Sequence, residues 1–315
     1  KTEKKPIDFV GLRKRFLTIS SCLMAAIVLC AVVLGVHLDT EFTGGAMITL
    51  SYEGSFTMSD VQKVASSALE NNGLTLQTGE NVATGEQTLK ISMPGTETVT
   101  TDEVQTLLDS LNESYPDNSF AQLSLSNVSA AMGTKFLQKS LVAVVFALVL
   151  ILAYIAYRFK NIGGLTGGMM AVLALLNDLM VVFGTFVLLR APLDGNFIAA
   201  MLTILGYSIN DTVVIYDRIR ENSALYGKKQ MSLAELVNLS INQSFGRSMM
   251  TSITTCIALA IVCVVSIIFK LDSIFTFAVP LLFGMVSGVY STMCIATQLW
   301  VSYKTRKAAP APKKA

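Results

Sequence analysis

The sequence holds few charged residues and lacks the side-chain patterns on which most enzymes depend. Asp, Glu, Lys and Arg make up only 15% of its 315 residues, hydrophobic residues make up 52%, and there is a single histidine. No GxxxxGK[ST] phosphate loop, metal-ligand cluster or nucleophile elbow occurs. We therefore expect neither an enzyme nor an ATPase, and we predict no cofactor and no bound metal.

The cysteines are confined to apolar segments. None lies in the polar stretch 37–138, so no disulfide framework is expected, and all five are interpreted as packing residues. His37 follows the first apolar segment and is interpreted as an interfacial residue rather than a ligand. The five cysteines are Cys22, Cys30, Cys256, Cys263 and Cys294.

Long apolar runs dominate the rest of the chain. A membrane-crossing helix needs about 20 mostly apolar residues, and six stretches come close to that length. We therefore predict a polytopic α-helical membrane protein. Its six transmembrane helices are expected at 16–36, 140–157, 165–189, 197–217, 248–268 and 274–303.

Lysine and arginine are concentrated at alternate loops. The short loops on one side of the six helices hold only Arg190 and Lys270, whereas the other side, including both chain ends, is basic. Basic loops favour the cytoplasm, so both termini are predicted to be cytoplasmic. The chain then divides into a cytoplasmic tail, a first helix, an extracytoplasmic domain, a bundle of helices two to six, and a basic cytoplasmic tail, at 1–15, 16–36, 37–138, 139–303 and 304–315.

The stretch 37–138 has a soluble and acidic character. Thirteen acidic residues lie between Asp39 and Asp117, whereas the whole stretch holds only three basic residues. Segments in which apolar residues alternate with polar ones, and segments in which they recur at helical spacing, follow one another in the order βαββαβ. This order predicts a ferredoxin-like α+β domain on the outer face. An assembly domain and a surface that touches a substrate are both compatible with this fold. The predicted elements are 46–53, 59–72, 74–79, 87–94, 100–116 and 119–129.

Three ionisable residues lie in or beside the later spans. They are Asp178, Asp211 and Arg247. Intramembrane charges commonly mark ion or substrate pathways, although a buried ion pair that fixes helix register is the alternative. From their depths we expect Asp211 and Arg247 to meet, with Asp178 as a second station on a proton or ion pathway. A polar stripe on the fourth span is expected to support them, at Tyr207, Ser208, Asn210 and Thr212.

Glycines recur at close spacing in the third and sixth spans. Small residues let membrane helices approach closely, so we assign them a packing role and no chemistry. The pairs are Gly164 with Gly168 and Gly284 with Gly288.

The segment GYSINDTVVIYDRIREN, at 206–222, resembles the signature of the SecF family. These are bacterial protein-export membrane subunits that pair with SecD in the resistance-nodulation-division superfamily. EFTGG resembles the family's Asp-Phe-Thr-Gly-Gly element and supplies Glu41, Phe42, Gly44 and Gly45. RFK (158–160), GRSMMTSITT (246–255) and PLLFGMVSGVYSTMCIA (280–296) also fit.

The resemblance implies an export function in the bacterial cytoplasmic membrane. A SecD/SecF complex uses the proton or sodium motive force to assist late, ATP-independent steps of export through the Sec translocase. The implied partners are SecD (separate or fused upstream), the SecY/SecE/SecG channel, the YidC insertase, a translocating unfolded polypeptide and membrane lipids, without nucleic acid. Asp211 matches the family's essential carboxylate, Arg247 its arginine partner, and Asp178 the aspartate of the third helix.

The chain departs from the family pattern at three positions. Asn177 and Gly246 stand where the family usually or often has histidine, and Glu41 replaces an aspartate. Two further interpretations remain open. One is a scaffold of the translocase that uses no energy, and the other is half of a small-molecule or lipid exporter of the same superfamily.

Overall fold

Among the residues that the structure describes, six helices are long and apolar enough to cross a membrane, which confirms the predicted number. The computed structural model describes residues 7–71, 73–80, 85–95 and 98–308, apart from the side chains of 227–230 and 308. The ends of both predicted tails lie outside these ranges. The spanning helices are α1 (Arg13–Leu34), α5 (Ala130–Arg158), α6 (Gly164–Leu188), α7 (Gly195–Gln230) and α8 (Leu233–Ile268), and a sixth made of α9 (Asp272–Ser291), a π-helical turn (Thr292–Ala296) and α10 (Thr297–Ala308).

Helix α8 begins fifteen residues before the predicted span at 248–268. Its first turn is fixed by a capping box in which Ser232 and Glu235 satisfy each other's backbone N–H groups. Leu236, Val237 and Ile241 then bury one side of this extension. The extension carries too many polar residues to form an apolar run, so its hydropathy does not reveal that the helix continues.

A four-stranded antiparallel sheet lies between α1 and α5 in the chain. Its spatial order is β2-β3-β1-β4. Helix α3 follows β1 and helix α4 follows β3, and Val61, Leu107 and Leu111 from these helices pack with Ile48 and Leu89 of the sheet. The elements are β1 (Gly45–Tyr52), α3 (Met58–Ala68), β2 (Thr75–Glu80), β3 (Gln87–Pro94), α4 (Thr101–Ser114) and β4 (Ala121–Val128).

Edge strand β2 is hydrogen-bonded to the loop between α8 and α9. The Thr78 hydroxyl lies 2.6 Å from Asp272 Oδ2 and 2.8 Å from the Lys270 carbonyl oxygen. The Thr78 N–H donates to the same carboxylate at 3.4 Å. These polar contacts therefore hold the sheet domain against the end of the bundle where α8 joins α9.

Replacing Thr78 by valine should loosen this contact. The change keeps the side-chain shape but leaves the Asp272 carboxylate without its hydroxyl donor, which costs about 1–3 kcal/mol. We expect hydrogen exchange of the β2 amides to rise by roughly tenfold, measured by mass spectrometry. The control is Thr75→Val, because the Thr75 side chain makes no hydrogen bond within the described residues. Equal exchange in both variants would show that the contact does not hold the domain.

The predicted packing glycines lie where helices approach most closely. A Cβ at Gly284 of α9 would come within 2.7 Å of Val182 Cγ2 on α6 and 2.8 Å of Ile204 Cγ1 on α7. One at Gly288 would come within 3.1 Å of Ser208 Cβ. Gly284 therefore lets α9 pack closely against both α6 and α7, and Gly288 lets it pack closely against α7.

Candidate functional site

Asp211 lies on α7 and is buried, with 5% of its surface exposed. Its polar neighbours are Ser248 and Ser252 of α8 and, at longer range, Arg247. Among the residues that the structure describes, Asp211 Oδ2 and Ser248 Oγ have no hydrogen-bond partner. A buried carboxylate oxygen without a partner is costly, which makes this position unusual within a well-packed bundle.

Arg247 does not pair with Asp211 as the sequence analysis expected. Its side chain is exposed, and no ion pair within the described part of the chain includes it. The reason is rotation about the helix axis. Adjacent residues on a helix point about 100° apart, and the buried stripe of α8 passes through Ser244, Ser248 and Ser252 rather than through Arg247.

Asp178 accepts side-chain hydrogen bonds from two other helices of the bundle. It is fully buried on α6. Ser208 of α7 and Ser291 of α9 donate to its Oδ2 at 2.7 Å each, and Ser287 of α9 donates to its Oδ1 at 2.6 Å. Asn177 donates to the Ser287 hydroxyl at 3.3 Å. Asp178 therefore joins three helices, and every side chain that donates to it is neutral.

The predicted polar stripe on α7 is only partly buried. Tyr207 donates to Ser252 Oγ at 3.1 Å, and Thr212 Oγ1 lies 3.0 Å from Thr292 Oγ1. Ser208 bonds Asp178 as described above, whereas Asn210 is exposed. Tyr207, Ser208 and Thr212 therefore bond α7 to α8, α6 and the π-helical turn, respectively, and Asn210 makes no such buried contact.

Two serines and a threonine that were not predicted from the sequence complete these clusters. Ser287 and Ser291 lie one turn apart on α9, and Thr292 begins the π-helical turn. π-helical turns are frequent at functional sites. The available signal was the four-residue spacing of small residues, including serines 240, 244, 248 and 252 on α8, which is typical of close helix contacts.

The EFTGG element connects the sheet domain to the bundle. It lies in a short helix α2 (Thr40–Thr43) and the start of β1, and Glu41 Oε2 accepts from the Gly195 N–H at the beginning of α7 at 2.8 Å. Phe42 is buried with Leu193 and Phe197. Gly44 and Gly45 have φ of +79° and +134°, a region that glycine adopts without strain.

A second group of carboxyl groups lies beside this element, at the N-terminal end of α7. Asp194 caps α7 by accepting from the Asn196 and Phe197 N–H groups at 3.0 and 3.2 Å. Burial raises the pKa of Asp194, and the charges of Glu41 and Asp39 raise it further, against the Phe197 N–H and Lys90. Within the described residues, no three His, Cys, Asp or Glu side chains are placed to hold a metal ion.

Comparison with known proteins identifies the family. Residues 107–306 match the family model described as protein export membrane protein SecD/SecF, C-terminal. The chain is 32% identical over 305 residues to protein translocase subunit SecF of Petrotoga mobilis, covering 96% of this chain and 97% of that one. It is 33% identical over 301 residues to protein translocase subunit SecDF of Bacillus subtilis, covering 95% of this chain and 38% of that one.

A solved structure shares the whole architecture. The chain superimposes on the crystal structure of SecDF, a translocon-associated membrane protein from Thermus thermophilus, with a TM-score of 0.78 and 28% identity. The match covers 97% of this chain and 40% of that one, so the chain spans less than half the length of this SecDF structure. The chain belongs to the SecD/SecF family of protein export membrane proteins and is a multi-pass membrane protein.

Proposed function

We propose that the chain is the SecF-like half of a SecD/SecF complex that uses the proton or sodium motive force to assist late, ATP-independent steps of protein export. The observation that carries the ion-coupled part is Asp211, a buried carboxylate with an unpartnered oxygen on the family's signature helix. Relatives named protein translocase subunits support the export part. The proposed work is conformational, with no bond made or broken in a substrate.

The proposed orientation places both termini in the cytoplasm and the sheet domain outside. The distribution of basic residues supports it, because only Arg190 and Lys270 lie in the short loops on the side of the sheet. Strand order β2-β3-β1-β4 with a helix after β1 and after β3 supports a ferredoxin-like fold for this domain. Under this proposal the domain moves relative to an emerging unfolded polypeptide.

Ion entry at Asp211 would supply the energy for that movement. One charge that crosses the membrane gains about 2.3 kcal/mol per 100 mV, which is enough to shift a two-state equilibrium by more than tenfold. Neutralising Asp211 would change its interaction with Ser248, Ser252 and Arg247 on α8. We infer that α7 and α8 then shift against each other and transmit the change to the sheet domain through α2 and the α8–α9 loop.

The proposed partners follow from the relatives. SecDF relatives of more than twice this chain's length support a SecD half, separate or fused. Exposed apolar side chains on α5 and α8, including Val145, Phe146, Ile257 and Ile261, would face that half or membrane lipids. The SecY/SecE/SecG channel and the YidC insertase are further proposed partners in the bacterial cytoplasmic membrane.

Export in depleted cells tests the proposal. Cells that lack their own SecF subunit should recover secretion of a reporter protein when they produce this chain together with its SecD partner. Dissipating the membrane potential should abolish the recovered fraction. Recovery that persists without a membrane potential would favour the scaffold alternative. Unchanged secretion with altered sensitivity to drugs or lipids would favour the small-molecule or lipid exporter.

A further inference from the structure

We propose that the oxygen cluster around Asp178 is a binding site for a monovalent metal cation, Na⁺. The cluster consists of Asn177, Asp178, Ser208, Ser287 and Ser291 and lies where α6, α7 and α9 meet. It is separate from Asp211, and the sequence placed Asp178 on a proton or ion pathway without identifying which ion binds there or which side chains hold it. The proposal deepens the function proposed above by naming a coupling ion, but the binding itself can be tested without export.

The donor set fits a hard cation. Two carboxylate oxygens and three serine hydroxyl oxygens lie in one buried cluster, and the Asn177 amide N–H donates to the Ser287 hydroxyl of that cluster. Oxygen ligands of this kind are preferred by hard cations, and no soft sulfur or imidazole ligand is among them. Within the described residues the Asn177 Oδ1 atom is buried without a hydrogen-bond partner, so one ligand oxygen remains available.

The charge of the cluster fits one positive charge. Asp178 is fully buried, and the polar groups facing it from α6, α7 and α9 are the neutral side chains of Asn177, Ser208, Ser287 and Ser291. Among the described residues it takes part in no ion pair. Hydrogen bonds from neutral donors leave a buried carboxylate with its full negative charge. One monovalent cation would compensate that charge, whereas a divalent ion would leave one positive charge uncompensated.

The position of the cluster would let a bound ion affect the helix that carries Asp211. Ser291 directly precedes the π-helical turn at Thr292–Ala296, and Thr292 contacts Thr212, one residue after Asp211. Interrupted helices near the membrane centre are typical of cation sites in transporters. Na⁺ at Asp178 would therefore act on the segment of α9 that contacts the Asp211 helix.

Thermal unfolding of the purified full chain in detergent tests the binding. NaCl is titrated against choline chloride at constant ionic strength and pH, with KCl as a second reference. We expect Tm to rise by several degrees with Na⁺ and to saturate, because a ligand that binds only the folded state stabilises it by mass action. Asp178→Asn and, as a milder change, Ser287→Ala should abolish the rise or shift it to at least tenfold higher Na⁺.

The matched control is Ser266→Ala. Ser266 is another buried serine, on α8, and its hydroxyl donates to the Cys263 carbonyl oxygen of its own helix at 2.9 Å; this variant should keep the response. A wild-type chain that responds equally to Na⁺, K⁺ and choline overturns the proposal. So does a Ser287→Ala chain that folds and keeps the full Na⁺ response. Stabilisation by acid alone, lost in Asp178→Asn, would assign the site to a proton instead. Loss of export with intact Na⁺ binding would count against the proposed function only.

Discussion

Asp211→Asn should stop reporter secretion while leaving the protein in the membrane. Asparagine has nearly the same shape as aspartate, so packing among α7 and α8 is retained, but the side chain no longer carries or exchanges a charge. If about 2.3 kcal/mol per 100 mV is delivered through this carboxylate, its loss should lower the potential-dependent secretion rate by tenfold or more. The measurement is secretion in cells depleted of the native subunit.

The control for this variant is Asp217→Asn on the same helix. Asp217 is partly exposed and pairs with Arg158 at 3.3 Å and Arg220 at 2.6 Å, and such pairs contribute only about 0–1 kcal/mol. Cells with the Asp217→Asn variant should secrete the reporter at the wild-type rate. Copurification with SecD is measured in the same cells for both variants. Normal secretion by Asp211→Asn would make the carboxylate structural, and the ion-driven part of the proposal would then be rejected.

Gly45→Ala should destabilise the sheet domain where it joins the bundle. At its φ of +134°, a Cβ would lie 2.1 Å from the Met93 carbonyl oxygen of β3 and 3.1 Å from Thr40 Cγ2. Backbone strain and overpacking each cost about 1–3 kcal/mol. Because β1 is the strand between β3 and β4, it cannot shift without disturbing both neighbours. We expect a destabilisation of about 2–6 kcal/mol, measured by thermal unfolding.

Gly95→Ala separates the cost of backbone strain from the cost of overpacking. Gly95 has φ of +76°, and no atom lies within 4 Å of the point that a Cβ would occupy, so alanine there meets backbone strain alone. It should destabilise the domain by about 1 kcal/mol, near the low end of the range for a strained backbone. Comparable losses in both variants would show that the close approach of β1 to Met93 relaxes, and that the EFTGG element tolerates a larger residue.

The spans and the family were readable from the sequence because both depend on local features. Twenty apolar residues form a membrane helix whatever their neighbours, and the six runs correspond to six helices. The signature at 206–222 is a contiguous string, so no tertiary information is needed to recognise it. The segments predicted in 37–138 likewise each have a strand or helix in the structure, because alternation and helical period are local.

The environments of the charged residues depended on the tertiary structure. Asp178 is bonded by serines 30, 109 and 113 residues away, and a serine in an apolar span carries no signal that it faces a carboxylate. Depth along a helix follows from residue number, which is why Asp211 and Arg247 were predicted to meet. The direction in which a side chain points around its helix axis follows from packing. On α8 the serine stripe is buried, so Arg247 lies on the exposed side of the helix, away from Asp211. Which helices exist, and where charges lie along them, follows from local sequence. Which charges face one another follows from how the helices pack.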